Sequence, residues 1–333
     1  MNQVAEEVGQ QLSIVRWIDA SKNDVWDAWT EPEQIMEWWG PEYFTAPSAK
    51  VDLRVGGHYL FCMRDPQGKD YWSTGVYKEI ADRERIVATD SFSDDKGNIV
   101  PAVYYGMPGN WPEELLLTVT FKEVGGRTRL HLHHTGLPPG DVVEQTAAGW
   151  NGSLDKLEDF LLAKRGKPKG LHDEMTFMVT NEREIKTRNI INAYPEDVFI
   201  AYVDPEMIPN WWGPRELMTS IVKLDARQGG EWRFVQQDAK GNVYGFHGKF
   251  IAVEPPHRIV QTMEYEGMPG HVMAEEMTID NLEGRSLIRT AAKFETHDDM
   301  KGMVVSDMER GVFEGMERLQ EVFAKKEKIT IKA

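Results

Sequence analysis

The sequence predicts an α+β fold made twice. In each of two tandem domains a curved antiparallel sheet wraps a long C-terminal helix, with two short helices after the first strand. Three observations carry this. The tetrapeptide Trp38-Trp39-Gly40-Pro41 returns as Trp211-Trp212-Gly213-Pro214, and its surroundings return at the same offset: Arg54-Val55-Gly56-Gly57 with Arg227-Gln228-Gly229-Gly230, and Arg85-Ile86-Val87 with Arg258-Ile259-Val260. Short alternating apolar runs separated by Gly-containing turns read as antiparallel strands. Each repeat closes on an apolar stripe at helical spacing.

The elements follow in order. Leu12 to Asp19 alternates apolar and polar residues and predicts a strand. Ser21-Lys22-Asn23-Asp24 has capping-box spacing, with Asp in place of Glu. Val25, Trp26 and Trp29 then form the apolar face of a short helix, and Glu31-Pro32-Glu33 starts a second. The second repeat has a strand over 185–192 and Pro195 at a helix start, where its missing N–H costs nothing. Asp65-Pro66-Gln67-Gly68 and Asp238-Ala239-Lys240-Gly241 predict hairpin turns. Further strands are expected over 71–80, 85–92, 115–123 and 127–135, with Gly125-Gly126 and Glu283-Gly284 turning the last hairpin of each repeat. The first repeat carries an extra segment between Phe92 and Gly106, read as a loop. The terminal helices are expected to bury Val143, Ala147, Trp150, Leu154, Leu157 and Leu161 in one repeat, and Val305, Met308, Val312, Met316, Leu319 and Phe323 in the other. A Gly/Pro-rich basic stretch, Lys164 to Gly170, marks the joint. The expected division is a lead-in over 1–11, domains over 12–165 and 183–327, a linker over 166–182 and a tail over 328–333.

Composition narrows the function classes. The net charge of −16 opposes binding to nucleic acid, whose affinity comes largely from Lys and Arg neutralising phosphates, and opposes adhesion to an anionic membrane. A single cysteine, Cys62, fits a reducing compartment. The first eleven residues lack the apolar core of a signal peptide, and no apolar run is long enough to span a bilayer. A cytoplasmic location is the expectation. No cofactor-binding motif is present: Walker-type glycine loops, a nucleophile elbow and zinc-protease spacing are all missing from the sequence.

Trp38-Trp39-Gly40-Pro41, Gly56-Gly57, Tyr105-Gly106-Met107-Pro108-Gly109, His134-Thr135-Gly136-Leu137 and Gly149-Trp150 together resemble the START-like (SRPBCC) superfamily. The nearest branch is that named for the C-terminal domain of the Hsp90 ATPase activator. The likeness covers about residues 12–163 and 183–325. It implies a helix-grip fold with an apolar cavity between sheet and helix. Members include lipid carriers, hormone receptors, polyketide cyclases and aromatases, so the fold carries several functions. The eukaryotic activator has a separate N-terminal domain that engages the chaperone, and residues 1–11 are too few to supply one.

Comparing the repeats phases the strands, because successive side chains alternate faces. Tyr59 and Phe61, with their counterparts Trp232 and Phe234, are expected inward. So are Val119 with Met277, Phe121 with Ile279, and Tyr71, Tyr77, Tyr244, Phe246 and Phe250. Adding Trp38, Trp39, Trp211, Trp212, Met107, Met268, Trp150, Leu154 and Met316 completes the candidate ligand-binding wall. These residues serve either as a packed core or as the lining of a pocket. Indole and phenol groups need partners when buried, and methionine suits variable ligands.

His134 is the candidate acid/base, in phase with Leu130 and Leu132 and matched by Ala292; the alternative is a structural histidine bonded to a backbone carbonyl. His131 and His133 share the outer face, but no third ligand accompanies them, so no metal is expected. Cys62 is expected to face away from the pocket, and Asp52 and Asp225 to pair with Arg54 and Arg227. The reading is binding of a small apolar or aromatic molecule in one or both domains. Alternatives are an enzyme of cyclase, aromatase or hydrolase type in the same cavity, and a chaperone-associated or other protein-interaction module.

Overall fold

The computed structural model describes residues 10–107, 110–170 and 172–330. Most of the lead-in, the Pro108-Gly109 part of one Met-Pro-Gly loop and the end of the tail lie outside the described residues. The chain forms two compact units that divide between Thr180 and Asn181.

In the N-terminal domain, strand β1 (Gln10–Ile18) leads to helices α1 (Lys22–Thr30) and α2 (Pro32–Trp38). Ser21 caps α1: its Oγ accepts the Asp24 N–H at 3.2 Å and donates to Asp24 Oδ2 at 2.7 Å, so the reciprocal half of the expected capping box is replaced by a side-chain bond. Pro32 opens α2. A meander follows: β2 (Thr45–Val51), β3 (His58–Arg64), β4 (Asp70–Ala81), β5 (Arg85–Ser93), β6 (Leu115–Val124) and β7 (Arg127–Leu137). Helix α3 (Asp141–Lys164) completes the repeat. All six apolar positions of its stripe are buried, in one core with Leu12, Ile14, Leu130 and Leu132 of the sheet.

Two segments differ from the sequence reading. The stretch over 166–182 is only partly a linker: Met175–Asn181 forms strand β8, antiparallel to β1 with Thr176 opposite Ile14 and Met178 opposite Leu12. The neighbouring glycines, prolines and lysines hide an alternating run, Met175-Thr176-Phe177-Met178-Val179, that satisfies the free edge of β1. The domain's strand order is therefore β2-β3-β4-β5-β6-β7-β1-β8. The inserted loop contains a 3₁₀ turn, Ala102–Tyr105, pinned by Tyr105, whose hydroxyl donates to Ser93 O at 2.6 Å and accepts Trp72 N–H at 2.9 Å.

The C-terminal domain repeats the plan. Strand β9 (Glu184–Ile191) and helix α4 (Pro195–Val203) precede β10 (Met218–Leu224), β11 (Glu231–Gln237), β12 (Val243–Glu254), β13 (Arg258–Tyr265), β14 (Val272–Leu282) and β15 (Arg285–Phe294), in the order β10-β11-β12-β13-β14-β15-β9. The expected second short helix is a single 3₁₀ turn, Ile208–Asn210. Pro209, lacking an N–H, sits where a helix would need one. The expected single terminal helix is two: α5 (His297–Val305) and α6 (Met308–Thr330), separated at Ser306-Asp307. Asp307 holds a left-handed backbone, φ +67°. Val305, expected on the buried stripe, ends α5 with 72% exposure, because the break takes it out of phase with α6.

Candidate functional site

The two halves of the Trp-Trp-Gly-Pro motif have different roles. Trp38 is fully buried and its Nε1 donates to Ala28 O at 2.8 Å; Trp211 donates to Ala201 O at 2.9 Å. Each indole satisfies a carbonyl near the end of α1 or α4, where the helix offers no N–H partner. The glycine turns the chain at φ +93° in Gly40 and +88° in Gly213. Trp39 and Trp212 then enter a cavity between sheet and helix.

A cation on the long helix closes each turn. Lys156 Nζ donates to Gly40 O at 3.0 Å and Phe44 O at 2.8 Å; Arg318 donates to Gly213 O at 2.8 Å and Pro209 O at 3.0 Å. Sequence comparison missed this pair because lysine and arginine differ and the helices align at a different offset from the tetrapeptides. The helix glycines facing each proline, Gly149 beside Pro41 and Gly311 beside Pro214, supply the missing register. Gly149 followed by Trp150 then answers to Gly311 followed by Val312.

The N-terminal cavity is small, about 250 Å³. Of the anticipated residues, Trp39, Tyr71, Met107, His134 and Trp150 line it. Trp38, Tyr59, Phe61, Tyr77, Val119, Phe121 and Leu154 are instead core. Trp150 explains the size: it lies parallel to Trp29 at 6.2 Å and edge-on to Trp39 at 5.4 Å, and Trp29 meets Phe121 at 6.0 Å.

His134 is hydrogen-bonded at one nitrogen and faces a carboxylate with the other. Trp150 Nε1 lies 3.2 Å from Nδ1, and because an indole N–H only donates, Nδ1 accepts. Nε2 therefore carries the hydrogen and faces Asp90 Oδ2 at 3.5 Å. Asp90 Oδ1 accepts the Tyr59 hydroxyl at 2.9 Å. Burial pushes the imidazole below its ordinary value, with Asp90 opposing. The result is a neutral histidine whose Nδ1 partner is an indole, where the alternative reading had a backbone carbonyl.

The C-terminal cavity is about 620 Å³. Trp211, Trp212, Trp232, Phe234, Tyr244, Phe246, Phe250, Met277 and Met316 all line it. Met268 does not: it stands on the Tyr265–Gly270 turn with 47% exposure. The volume comes from side-chain exchange. Val312 replaces Trp150, Tyr202 replaces Trp29, Ile279 replaces Phe121 and Ala292 replaces His134. Trp212 stands edge-on to Phe234 at 5.2 Å and Phe246 at 5.3 Å. The α5–α6 break adds Ser306, Asp307 and Met308 to the rim.

Polar groups have changed strand between the domains. Pairing of Ala88 with Leu117 and of Leu117 with His134 corresponds to pairing of Gln261 with Glu275 and of Glu275 with Ala292. Gln261 Nε2 donates to Glu275 Oε2 at 3.1 Å. Burial drives the Glu275 carboxyl above its ordinary value, with the Gln261 hydrogen bond opposing. Glu275 was missed because this strand was phased on its apolar pairs alone, Val119 with Met277 and Phe121 with Ile279. The legible signal was its phase with Met273, Met277 and Ile279 and its match to Leu117.

A carboxyl whose pKa is higher folded than unfolded takes up a proton on folding, so stability falls as pH rises from the unfolded value, about 4.3, through the folded one. Glu275→Gln is expected to match the parent in acid and to gain on it as pH climbs through that window. The difference in thermal midpoint, followed against pH, reads this directly; a constant difference would refute it.

Cys62 is buried and lines neither cavity, and desolvation pushes its thiol up to about 11, which disfavours the reactive thiolate. The expected pairs form, Arg54 Nε on Asp52 Oδ1 at 3.1 Å and Arg227 Nε on Asp225 Oδ1 at 2.8 Å, both exposed. Among the described residues no helix is long and apolar enough to cross a membrane.

No curated protein matches the chain. Among solved structures, one domain's worth of the chain is similar to three bacterial proteins. A Rhodobacter sphaeroides protein is 22% identical over 45% of this chain and 98% of its own, with TM-score 0.43. A Nitrosomonas europaea protein is 24% identical over 47% and 96%, TM-score 0.39. The AHSA1 protein of Silicibacter pomeroyi is 21% identical over 46% and 99%, TM-score 0.39. The family model for activator of Hsp90 ATPase homolog 1-like proteins matches twice, at residues 19–161 and 192–324. With both repeats matched, the chain belongs to the family of activator of Hsp90 ATPase homolog 1-like proteins, as a tandem duplication.

Proposed function

We propose that the protein binds a small hydrophobic or aromatic molecule between sheet and helix, and that the C-terminal domain is the principal site. The observation that carries this is the aromatic-lined cavity of about 620 Å³, within the roughly 300–1,000 Å³ usual for ligand sites. A sheet curved around its terminal helix in the helix-grip manner supports such an interior. Trp212, Trp232, Phe234, Tyr244, Phe246, Phe250, Met277 and Met316 would form the wall, and removal of apolar surface from water would supply affinity at about 25 cal/mol per Å². The N-terminal cavity, with Trp39, Tyr71, Met107 and Trp150, is below that range and would take a smaller guest.

Native mass spectrometry of the full chain, then denaturation and identification of released compounds, tests the reading. A retained apolar molecule is expected. Val312→Trp, which installs the side chain found at Trp150 in the other repeat, should abolish retention. No retained mass, together with no thermal shift across an aromatic and lipid library, would sink the proposal.

A further inference from the structure

The sheet wall of the C-terminal cavity contains one carboxylate without a cation among the described residues, Glu275. Phe250, Gln261, Glu275, Ala292 and Ile185 are register partners on five adjoining strands and all line the cavity. Glu275 is at the centre of that row, and the small Ala292 beside it leaves room for a guest. One carboxylate oxygen takes the Gln261 amide; among the described residues no cation pairs with the group. The other carboxylates on the lining are already engaged. Glu216 and Asp307 share Arg310, at 2.5 and 2.6 Å, and Asp238 accepts the Lys240 and Asn242 N–H groups of its own turn at 2.9 Å. Four carboxylates and one guanidinium line the cavity, so its field favours a positive guest.

A second acceptor points the same way. Asn189, 1% exposed on the lining, donates its amide to Thr187 Oγ1 at 3.2 Å, and its Oδ1 has no partner among the described residues. Aromatic rings such as those of Trp212, Trp232 and Phe246 on the lining attract organic cations that reach their faces. A carboxylate set in a largely apolar cavity wall without a cation is costly, and a cationic guest would pair it.

Resting on the binding reading above, we infer that the C-terminal cavity takes an organic cation: a protonated amine on an aromatic body, with Glu275 as its counter-ion and Gln261 holding that carboxylate in place. The Arg310 cluster at the rim is spent on Glu216 and Asp307 and does not compete for Glu275.

The test uses three probes on one ring system: 9-(aminomethyl)anthracene, 9-anthracenemethanol and 9-anthracenecarboxylate. Binding to the full chain is read by energy transfer from tryptophan. The amine is expected to bind at least about tenfold more tightly than the alcohol, the scale of a charge-assisted hydrogen bond, and the carboxylate weakest. Glu275→Gln should bring amine and alcohol level by loss of amine affinity. Glu275→Leu, the residue type found at Leu117, should do the same if the glutamine variant folds poorly. Equal binding of amine and alcohol to the parent, or an amine preference that survives both variants, overturns the inference but leaves the cavity reading standing. Binding of none of the three overturns both.

Discussion

Arg16→Leu is expected to destabilise the N-terminal domain by about 3 kcal/mol, the low end for breaking a buried ion pair. Arg16 is 1% exposed on the helix-facing side of β1. Its Nη2 lies 3.0 Å from Asp155 Oδ1 and donates to Asn151 Oδ1 at 2.8 Å, both on α3. Asn151 Nδ2 continues the network to Glu174 Oε1 at 3.2 Å, and Glu158 accepts His172 Nδ1 at 3.0 Å. Leucine fills much of the same space but leaves these carboxylates without the guanidinium. The low end applies because Asp155 keeps 39% side-chain exposure and can recover some hydration. Urea unfolding, with hydrogen exchange resolved by peptide, reads the loss in the domain concerned. A loss below about 1 kcal/mol would show that the network adds little. The counterpart of Arg16 in the other repeat is Asn189, so the matching substitution there should be far milder.

Trp38→Ala should cost more, about 3–5 kcal/mol, the range for deleting a buried aromatic ring. The ring packs on Trp29 at 4.7 Å and Trp39 at 5.4 Å, and its loss also orphans Ala28 O. Trp38→Phe keeps a ring and loses the indole N–H, so about 1–2 kcal/mol is expected. Trp211→Ala should repeat the result in the C-terminal domain, where the ring contacts Tyr202 at 4.5 Å. The same hydrogen-exchange experiment assigns each loss to its domain. Equal effects from Trp38→Ala and Trp39→Ala would contradict the division of roles, since only Trp39 borders the cavity.

Much of this architecture was readable in the chain. Inward phase was correct for Tyr59, Phe61, Trp232 and Phe234 because alternation along a strand is a local property. What escaped depended on exceptions to local rules. Arg16 and Glu275 are ionisable groups on inner faces; Arg16 is compensated by Asp155 and Asn151, remote in sequence, whereas Glu275 has only the Gln261 amide. Strand β8 was concealed within a linker composition. The α5–α6 break has no Pro or Gly at Ser306-Asp307 to announce it.

The sequence by itself determined the duplication, the order of most strands and helices within each repeat and the aromatic character of the interior. Repeats and periodicity record these directly. Only the tertiary structure decided which repeat keeps a large cavity, because cavity volume is a sum over side chains from many elements. Trp150 against Trp29, itself against Phe121, fills one interior; Val312 and Tyr202 line the larger space in the other. It also decided that His134 accepts from Trp150 and faces Asp90 while Glu275 faces a cavity, since the state of an ionisable group is set by the atoms folding brings to it.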